Sequence, residues 1–383
     1  MHHDLIVFAE DWGGLPSSTQ HIIKLLAKTR KVVWINSIGL RQPSLTGADI
    51  KRLWQKLTAV NVNNTKTHNK ANDDTRSANH FHIINPRTLP APRSAVARYI
   101  AQQLLLLQIK PIIKKAKLIN PILWTSLPTA VDFAGCFDEC ALVYYCGDDF
   151  SGLAGVDHNT VAQREKELST KADLIMVSSE NLLPRFPTSH TQLLTHGVDY
   201  RLFSSPTQRA LDLPNKETNI AGFYGSISAW LDIELLHATI LKMPHWQFVF
   251  IGKAVVDISR LSALKNVTFL GERAHHLLPS YSQHWTASLL PFVDNAQIQA
   301  CNPLKLKEYL AAGRPIVCTD FSAIHAHRGL VQIANSSDAM VEALTNCEHL
   351  QQLESFTPTL RNRVVDKNWE SRAQQVAKWM DRL

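Results

Sequence analysis

Asn302–Val317 reads NPLKLKEYLAAGRPIV. Asn302 suits a helix N-cap and Pro303 the first helical position. Gly313 suits the residue just past the end, and Pro315 prevents continuation. The spacing predicts a helix from Pro303 to Ala312, followed by a buried strand at Ile316–Cys318. Lys305 and Glu308 are three residues apart and share a helix face. A helix start offers unpaired N–H groups and partial positive charge to a phosphate. Lys305 adds a full charge, and Glu308 can accept hydrogen bonds from two neighbouring ribose hydroxyls. Asn302, Pro303, Leu304, Lys305 and Glu308 together suit a nucleoside diphosphate. The pair Lys305–Glu308 also fits a plain surface ion pair worth a few tenths of a kcal/mol, and these residues alone leave both readings open.

Outward from this stretch, short apolar runs alternate with helical patterns. Ile220–Tyr224, Phe248–Ile251, Val267–Leu270 and Ser288–Leu290 read as strands, separated by helical segments such as Ile233–Leu241 and His276–Ser282. The first half has the same rhythm. Leu5–Ala9, Lys31–Asn36, Ile122–Thr125, Ala141–Cys146 and Leu174–Ser178 are strand candidates, and Ser17 or Ser18 can cap a helix through Ile22–Leu26. Near-continuous apolar strands between helices indicate parallel sheets covered on both faces. The expectation is α/β: two doubly wound domains facing each other across a cleft, with ligands beyond the carboxyl ends of the strands. The boundaries read as 1–202 for the first domain, 203–217 for a linker containing Phe203–Pro214, 218–366 for the second domain and 367–383 for a terminal helix. Trp369, Ala373, Val376, Ala377 and Met380 fall on one face of that helix. Asn61–Asn79 is almost without apolar residues and reads as a mobile loop.

At 383 residues, 45% hydrophobic and 19% charged, the chain has ordinary globular composition, which excludes a disordered chain. No apolar run reaches the roughly 18 residues of a membrane span, and Leu5–Ala9 is too short for a signal-peptide core. The expected location is cytoplasmic. The six cysteines show no zinc-ligand spacing, and no D-x-D pair is placed to hold a metal. The histidines scatter, with His2-His3 and His275-His276 read as surface residues. Net charge is +7, but thirteen Lys or Arg face only Asp73 and Asp74 between Lys51 and Lys117. Such concentration implies an anionic partner. Within Arg93–Lys117, apolar residues stand beside Lys110, Lys114, Lys115 and Lys117, with a kink expected at Pro111. That composition suits docking on an anionic leaflet, and equally a scaffold helix with solvated lysines. No nucleic-acid motif accompanies the charge.

NPLKLKEYLAAGRPIV resembles the C-terminal donor-site motif of GT-B glycosyltransferases, notably family 4 (group 1) and related bacterial exopolysaccharide enzymes. HGVD at His196–Asp199 resembles the family's interdomain segment. GFYGSISAWLD at Gly222–Asp232 resembles its first C-domain strand and glycine turn. DWGGLPSSTQH at Asp11–His21 and VVWINSIGLRQP at Val32–Pro43 are similar to the N-terminal halves of these enzymes. The resemblance implies two Rossmann-like domains and a C-terminal helix crossing back to the N-domain. It also implies a nucleoside-diphosphate sugar donor, UDP-linked in the first instance, and a saccharide acceptor, often lipid-linked. That acceptor implies a peripheral place on the inner face of the plasma membrane. No separate cofactor is implied. Many family 4 members carry two glutamates separated by seven residues; Glu308 matches the second, and Ala300 stands where the first would be. That departure favours an inverting reaction over a retaining one.

Four further groups complete the expectation. Gly225 and Ser226 follow a strand, where a glycine lets backbone amides approach a phosphate, and Lys253 follows Gly252 in the same position on the next strand. Asp148 and Asp149 follow Ala141–Cys146. One of them, Asp149 first, is the candidate base for the acceptor hydroxyl, since paired carboxylates raise each other's pKa. Gly13, Gly14 and Asp11 form the N-domain loop beside the acceptor, with Glu10 and Asp11 as reserve bases. The helix dipole and Lys305 take the role that Mg²⁺ has in other transferases, so the reading requires no metal. Two other functions share these features: a nucleotide-sugar epimerase and a non-catalytic scaffold of the same fold.

Overall fold

The computed structural model describes residues 2–14, 17–37, 80–87, 94–149 and 158–383, without the side chains of Ala296 and Ala300. The polar stretch 61–79, Ile38–Pro43 and the basic residues between 51 and 79 lie outside the described residues. The chain divides into two compact units: Met1–Leu194 with Ala373–Leu383, and Thr195–Arg372. The stretch Phe203–Pro214, expected as a linker, is part of the second unit, where Phe203 is fully buried in the core.

The first unit contains a seven-stranded parallel sheet in the order β3-β2-β1-β4-β5-β6-β7. Its strands are β1 Leu5–Phe8, β2 Val32–Ile35, β3 Phe81–Ile84, β4 Ile122–Thr125, β5 Ala141–Cys146, β6 Leu174–Val177 and β7 Thr191–Leu193. Leu5 pairs in register with Val32 on one side and Ile122 on the other. Every residue of β1, β2, β4, β5 and β6 is buried, because helices cover both faces of a parallel sheet. Helix Ser18–Leu26 starts where Ser17 accepts from the Gln20 amide. Helix Ala95–Ala116 continues without a break past Pro111, where the sequence suggests a kink.

The second unit contains a six-stranded parallel sheet in the order β10-β9-β8-β11-β12-β13. Its strands are β8 Ile220–Tyr224, β9 Gln247–Ile251, β10 Val267–Gly271, β11 Ala287–Leu290, β12 Ile316–Cys318 and β13 Gln332–Ile333. The segment expected as one helix, His276–Ser282, is a 3₁₀ turn at His275–Leu277 followed by a short helix at Pro279–Ser282. Helix Leu304–Ala312 starts one residue later than its sequence suggested: Pro303 is the N-cap and no side chain caps it, so Asn302 lies before the helix. Gly313 ends it in the left-handed conformation, φ 81°, as expected of a residue without Cβ. The terminal helix Trp369–Met380 begins in the second unit and from Ala373 belongs to the first. There Asp381 accepts from Arg30 at 2.8 Å.

Both sheets therefore change winding direction at their first strand. β1 lies between β2 and β4, and β8 between β9 and β11. Loops at the carboxyl ends of these strands flank the crevice where doubly wound sheets bind ligands.

Candidate functional site

In the second unit, β8, β9 and β10 end in Gly225, Gly252 and Gly271, all at positive φ. Gly225 N–H donates to Ile251 O at 2.8 Å, and Gly252 N–H to Gly271 O at 2.8 Å. The backbones approach so closely that a Cβ on Gly252 would sit 2.1 Å from Gly225 O. A Cβ on Gly225 would lie 2.0 Å from Cε of Lys305. The Gly225 turn and Lys305 are thus one local structure, brought together from sequence positions 80 residues apart.

Lys305 is half-buried, with its ammonium 5.9 Å from the Phe223 ring centroid. Burial pulls its pKa down, and Glu308 partly offsets this. Among the described residues no oxygen accepts a hydrogen bond from it. A partly desolvated ammonium is stabilised by an anion brought to it. Ser226 is half-buried in the same turn, and two residues on the buried hydroxyl of Ser228 has no partner among the described residues. Lys253 is exposed; its carbonyl accepts from the Ile227 amide at 2.9 Å, which places it beside the turn while its side chain is in water.

Glu308 is 3% exposed and is already engaged. One carboxylate oxygen accepts from Tyr224 OH at 2.8 Å; the other meets His275 Nε2 at 2.7 Å. It is therefore not the surface partner of Lys305. His275, expected on the surface, is drawn into the site instead. Burial lowers its pKa, but the hydrogen bond to Glu308 and the charges of Glu308 and Asp199 outweigh this and raise it. His275 also packs edge-on against Phe203, with centroids 5.4 Å apart. Nothing in the sequence marks His275 over its neighbour His276, because the pairing depends on where β10 ends. Tyr224 is legible in retrospect as the last strand residue before the glycine turn.

The first unit presents different chemistry at its crevice. Glu10, two residues past β1, accepts from Ser17 Oγ, and its carbonyl accepts from Trp34 Nε1 at 3.1 Å. Asp11 accepts from the Ser37 amide at 3.1 Å, and its carbonyl accepts from Gly14 N–H at 3.1 Å. Gly13, at φ 79°, donates to Gln20 Oε1 at 3.4 Å. At the end of β5 the two aspartates separate. Asp149 is ion-paired with Arg185, which also holds the buried Glu165 at 3.0 Å. Asp148 has an exposed surface, but the protein around it displaces enough water to raise its carboxyl. With the Asp149 charge as the second cause, its pKa rises to about 6. Asp149 is thus held in an ion pair, whereas Asp148 has its pKa raised.

A sequence profile of the family described as "Glycosyl transferases group 1" matches residues 219–348. The chain is 26% identical over 282 residues to TuaH of Bacillus subtilis strain 168, whose name assigns it provisionally to teichuronic acid biosynthesis as a glycosyltransferase. The match covers 67% of this chain and 71% of TuaH. Among solved structures, Anabaena HepE in complex with UDP-glucose superimposes with a TM-score of 0.67 at 13% identity, covering 100% of both chains. Sucrose-phosphate synthase from Thermosynechococcus elongatus gives 0.65 at 17% identity, covering 99% and 98%. These likenesses establish the GT-B fold.

Proposed function

We propose that this chain, of GT-B fold, is a group 1 glycosyltransferase that moves a sugar from a nucleoside diphosphate, UDP in the first instance, to a saccharide acceptor of a cell-surface polysaccharide. The observation that carries the donor is Lys305: an ammonium packed against the Gly225 turn, with no acceptor among the described residues. The diphosphate lies on that turn with Ser226, at the start of helix Leu304–Ala312, and Glu308 faces the ribose through its remaining lone pairs. His275 and Tyr224 fix the Glu308 carboxylate. UDP-glucose in HepE supports the choice of nucleotide, and the name of TuaH supports the polymer.

For the reaction, the acceptor oxygen attacks the anomeric carbon and the bond to the diphosphate breaks. The nucleoside diphosphate leaves with the bonding pair, and Asp148 takes the acceptor's proton. A base near pKa 6 is mostly ionised at neutral pH and suited to this. With Ala300 at the first glutamate position, the reading is inversion at that carbon, with no metal in the step.

A lipid-linked acceptor agrees with helix Ala95–Ala116. Val96, Tyr99, Ile100, Leu104 and Leu107 are exposed on one face, with Leu107 at 74%. Lys110 and Lys114 continue that face and are exposed too. Ala101, Leu105 and Ile109 fill the opposite, buried face. An apolar stripe running into lysines matches an anionic leaflet. Among the described residues no helix is long and apolar enough to cross a membrane.

The test is a thermal-shift series with UDP- and GDP-sugars, followed by turnover with the sugar that stabilises. Binding raises the melting temperature by mass action; no response to any nucleotide sugar removes the donor reading. A product with retained anomeric configuration removes Asp148 as base. Cosedimentation with vesicles containing phosphatidylglycerol checks the helix face, with binding lost in L104S/L107S as the expected result.

A further inference from the structure

The end of β5 is tied into a chain of hydrogen bonds within the first unit. Tyr144, fully buried in β5, donates its hydroxyl to Glu165 Oε1 at 2.7 Å. Glu165, on helix His158–Lys171, is itself 6% exposed. Its other oxygen accepts from Arg185 Nη2 at 3.0 Å, and Arg185 Nη1 donates to Asp149 Oδ1. Cys146 Sγ lies 3.6 Å from Glu165 Oε1 and 3.4 Å from the Asp148 carbonyl. Arg185 closes the 3₁₀ helix Glu180–Arg185, and the next residue, Phe186, packs edge-on against Tyr144 with centroids 5.9 Å apart. Ser178 fixes the same strand end from beyond β6. Its amide donates to Cys146 O at 3.1 Å and its hydroxyl to Gly147 O at 2.7 Å.

A carboxylate as buried as Glu165 is costly unless a cation and a donor meet it. Arg185 and Tyr144 are that cation and that donor. The planar guanidinium presents its N–H groups in a rigid fork, so one nitrogen stays on Glu165 while another holds Asp149. An ammonium on a flexible stem has no such fork. Asp149 is therefore anchored, through Arg185, to the buried face of the helix that covers β5. The other titratable groups at this strand end, among the described residues, are Tyr144, Tyr145 and Cys146 of β5 and Glu10 past β1, which reaches Asp148 across Tyr145. The charge that raises the Asp148 carboxyl is that of Asp149.

We propose that Arg185 is a positioning residue for the proton transfer: by bridging the buried Glu165 to Asp149, it keeps the Asp149 carboxylate ionised and fixed beside Asp148. The inference rests on Asp148 as the base of the proposed reaction. Arg185 acts through Asp149 and not on the acceptor. With the clamp in place, burial and the Asp149 charge together hold Asp148 at about 6. Without it, Asp149 turns towards water, its charge is screened, and the Asp148 pKa falls. Removing a cation ordinarily raises the pKa of carboxylates near it. The clamp predicts the opposite sign, which separates it from a direct effect of the Arg185 charge.

The experiment is a ¹³C NMR titration of the full chain carrying carboxyl-labelled aspartate, with the Asp148 signal identified by its loss in D148N. In wild type that signal should titrate near pH 6. In R185Q it should titrate lower by roughly half a pH unit or more, and R185K, which keeps the charge and loses the fork, should fall between the two. D149N/R185Q should shift no further than D149N alone, because both changes act through one carboxylate. R185Q leaves Glu165 buried without its cation and may not fold for that reason alone; E165Q/R185Q removes both charges and carries the same expectation. The acid limb of kcat, measured with the nucleotide sugar that stabilises the chain, should move down with the Asp148 signal. An Asp148 signal in R185Q or E165Q/R185Q that titrates at the wild-type pH or higher, while D148N is inactive, overturns the clamp alone. A shifted signal with an unmoved acid limb, or near-normal turnover in D148N, overturns the proposal together with Asp148 as the base.

Discussion

The two sheets wind alike around β1 and β8, yet their first-strand loops are furnished oppositely. The N-terminal crevice collects carboxylates, Glu10, Asp11, Asp148 and Asp149, held by serine, backbone amides and Arg185. The C-terminal crevice collects glycines at positive φ and an ammonium with no acceptor among the described residues. One topology therefore carries carboxylates at one first-strand end and glycines with a cation at the other, which is the division the proposed proton and phosphate sites rest on. The difference lies in side chains at strand ends and not in the fold.

The hardest blow to this contrast falls on Asp148. Asp148→Asn should cut kcat by 10²–10⁴-fold, the usual weight of a general base, while nucleotide-sugar binding persists. The pH profile adds a sharper check. Activity in wild type should fall below about pH 6, where Asp148 protonates. In Asp149→Asn the neighbouring charge that raises Asp148 is gone, so the acid limb should move to lower pH. Near-normal turnover in Asp148→Asn would show the N-terminal carboxylates to be structural.

On the other side, Lys305→Met should weaken nucleotide-sugar binding by roughly 10- to 100-fold, the order expected for a hydrogen bond to a charged group. Gly225→Ala should match it, because the new Cβ meets the Lys305 side chain and the φ of 130° disfavours any residue but glycine. Melting temperature without ligand separates a binding defect from a folding one. Equal donor affinity in wild type and Lys305→Met breaks the contrast from this side.

The same contrast explains what was legible in the sequence. The strands read from it, β1, β2, β4, β5, β6, β8, β9, β11 and β12 among them, are mostly central and buried on both faces, so they appear as apolar runs. β3, β7 and β13 passed unnoticed. Each lies at a sheet edge, two are only two or three residues long, and their burial is partial. At the C-terminal crevice, Lys305, Glu308 and Gly225 stand out in the sequence because helix punctuation and a strand-end glycine mark them locally. His275 does not, since it matters through a partner, Glu308, that only the fold brings near. Asn302 was misplaced as N-cap because Pro303 takes that position itself. The different surroundings of Asp148 and Asp149 depend on Arg185, 36 residues beyond Asp149.

The smallest expected effect is a difference in how acid acts on the two domains. His327 has a folded pKa near 4, below its unfolded value of 6.5. Its contribution is complete above 6.5 and is lost as pH falls towards 4. His196, near 3, acts in the same direction but is half-exposed and counts for less. Asp148 is the reverse: raised to about 6 from 3.8, it favours the folded N-terminal domain at low pH and loses that contribution as pH rises through 6. The His275 contribution is also lost on raising the pH, in a window above 6.5, because its folded pKa is raised. Hydrogen exchange resolved by peptide, corrected for intrinsic rates, should therefore show β8–β13 losing protection between pH 6.5 and 5. The loss is at most about 1.4 kcal/mol per pH unit for each histidine, while β1–β6 change little or in the opposite direction. His327→Gln should flatten the C-terminal slope and leave the N-terminal one alone; equal slopes in both domains, or an unchanged slope in His327→Gln, would mean that His327 is not the group through which acid acts on the C-terminal domain.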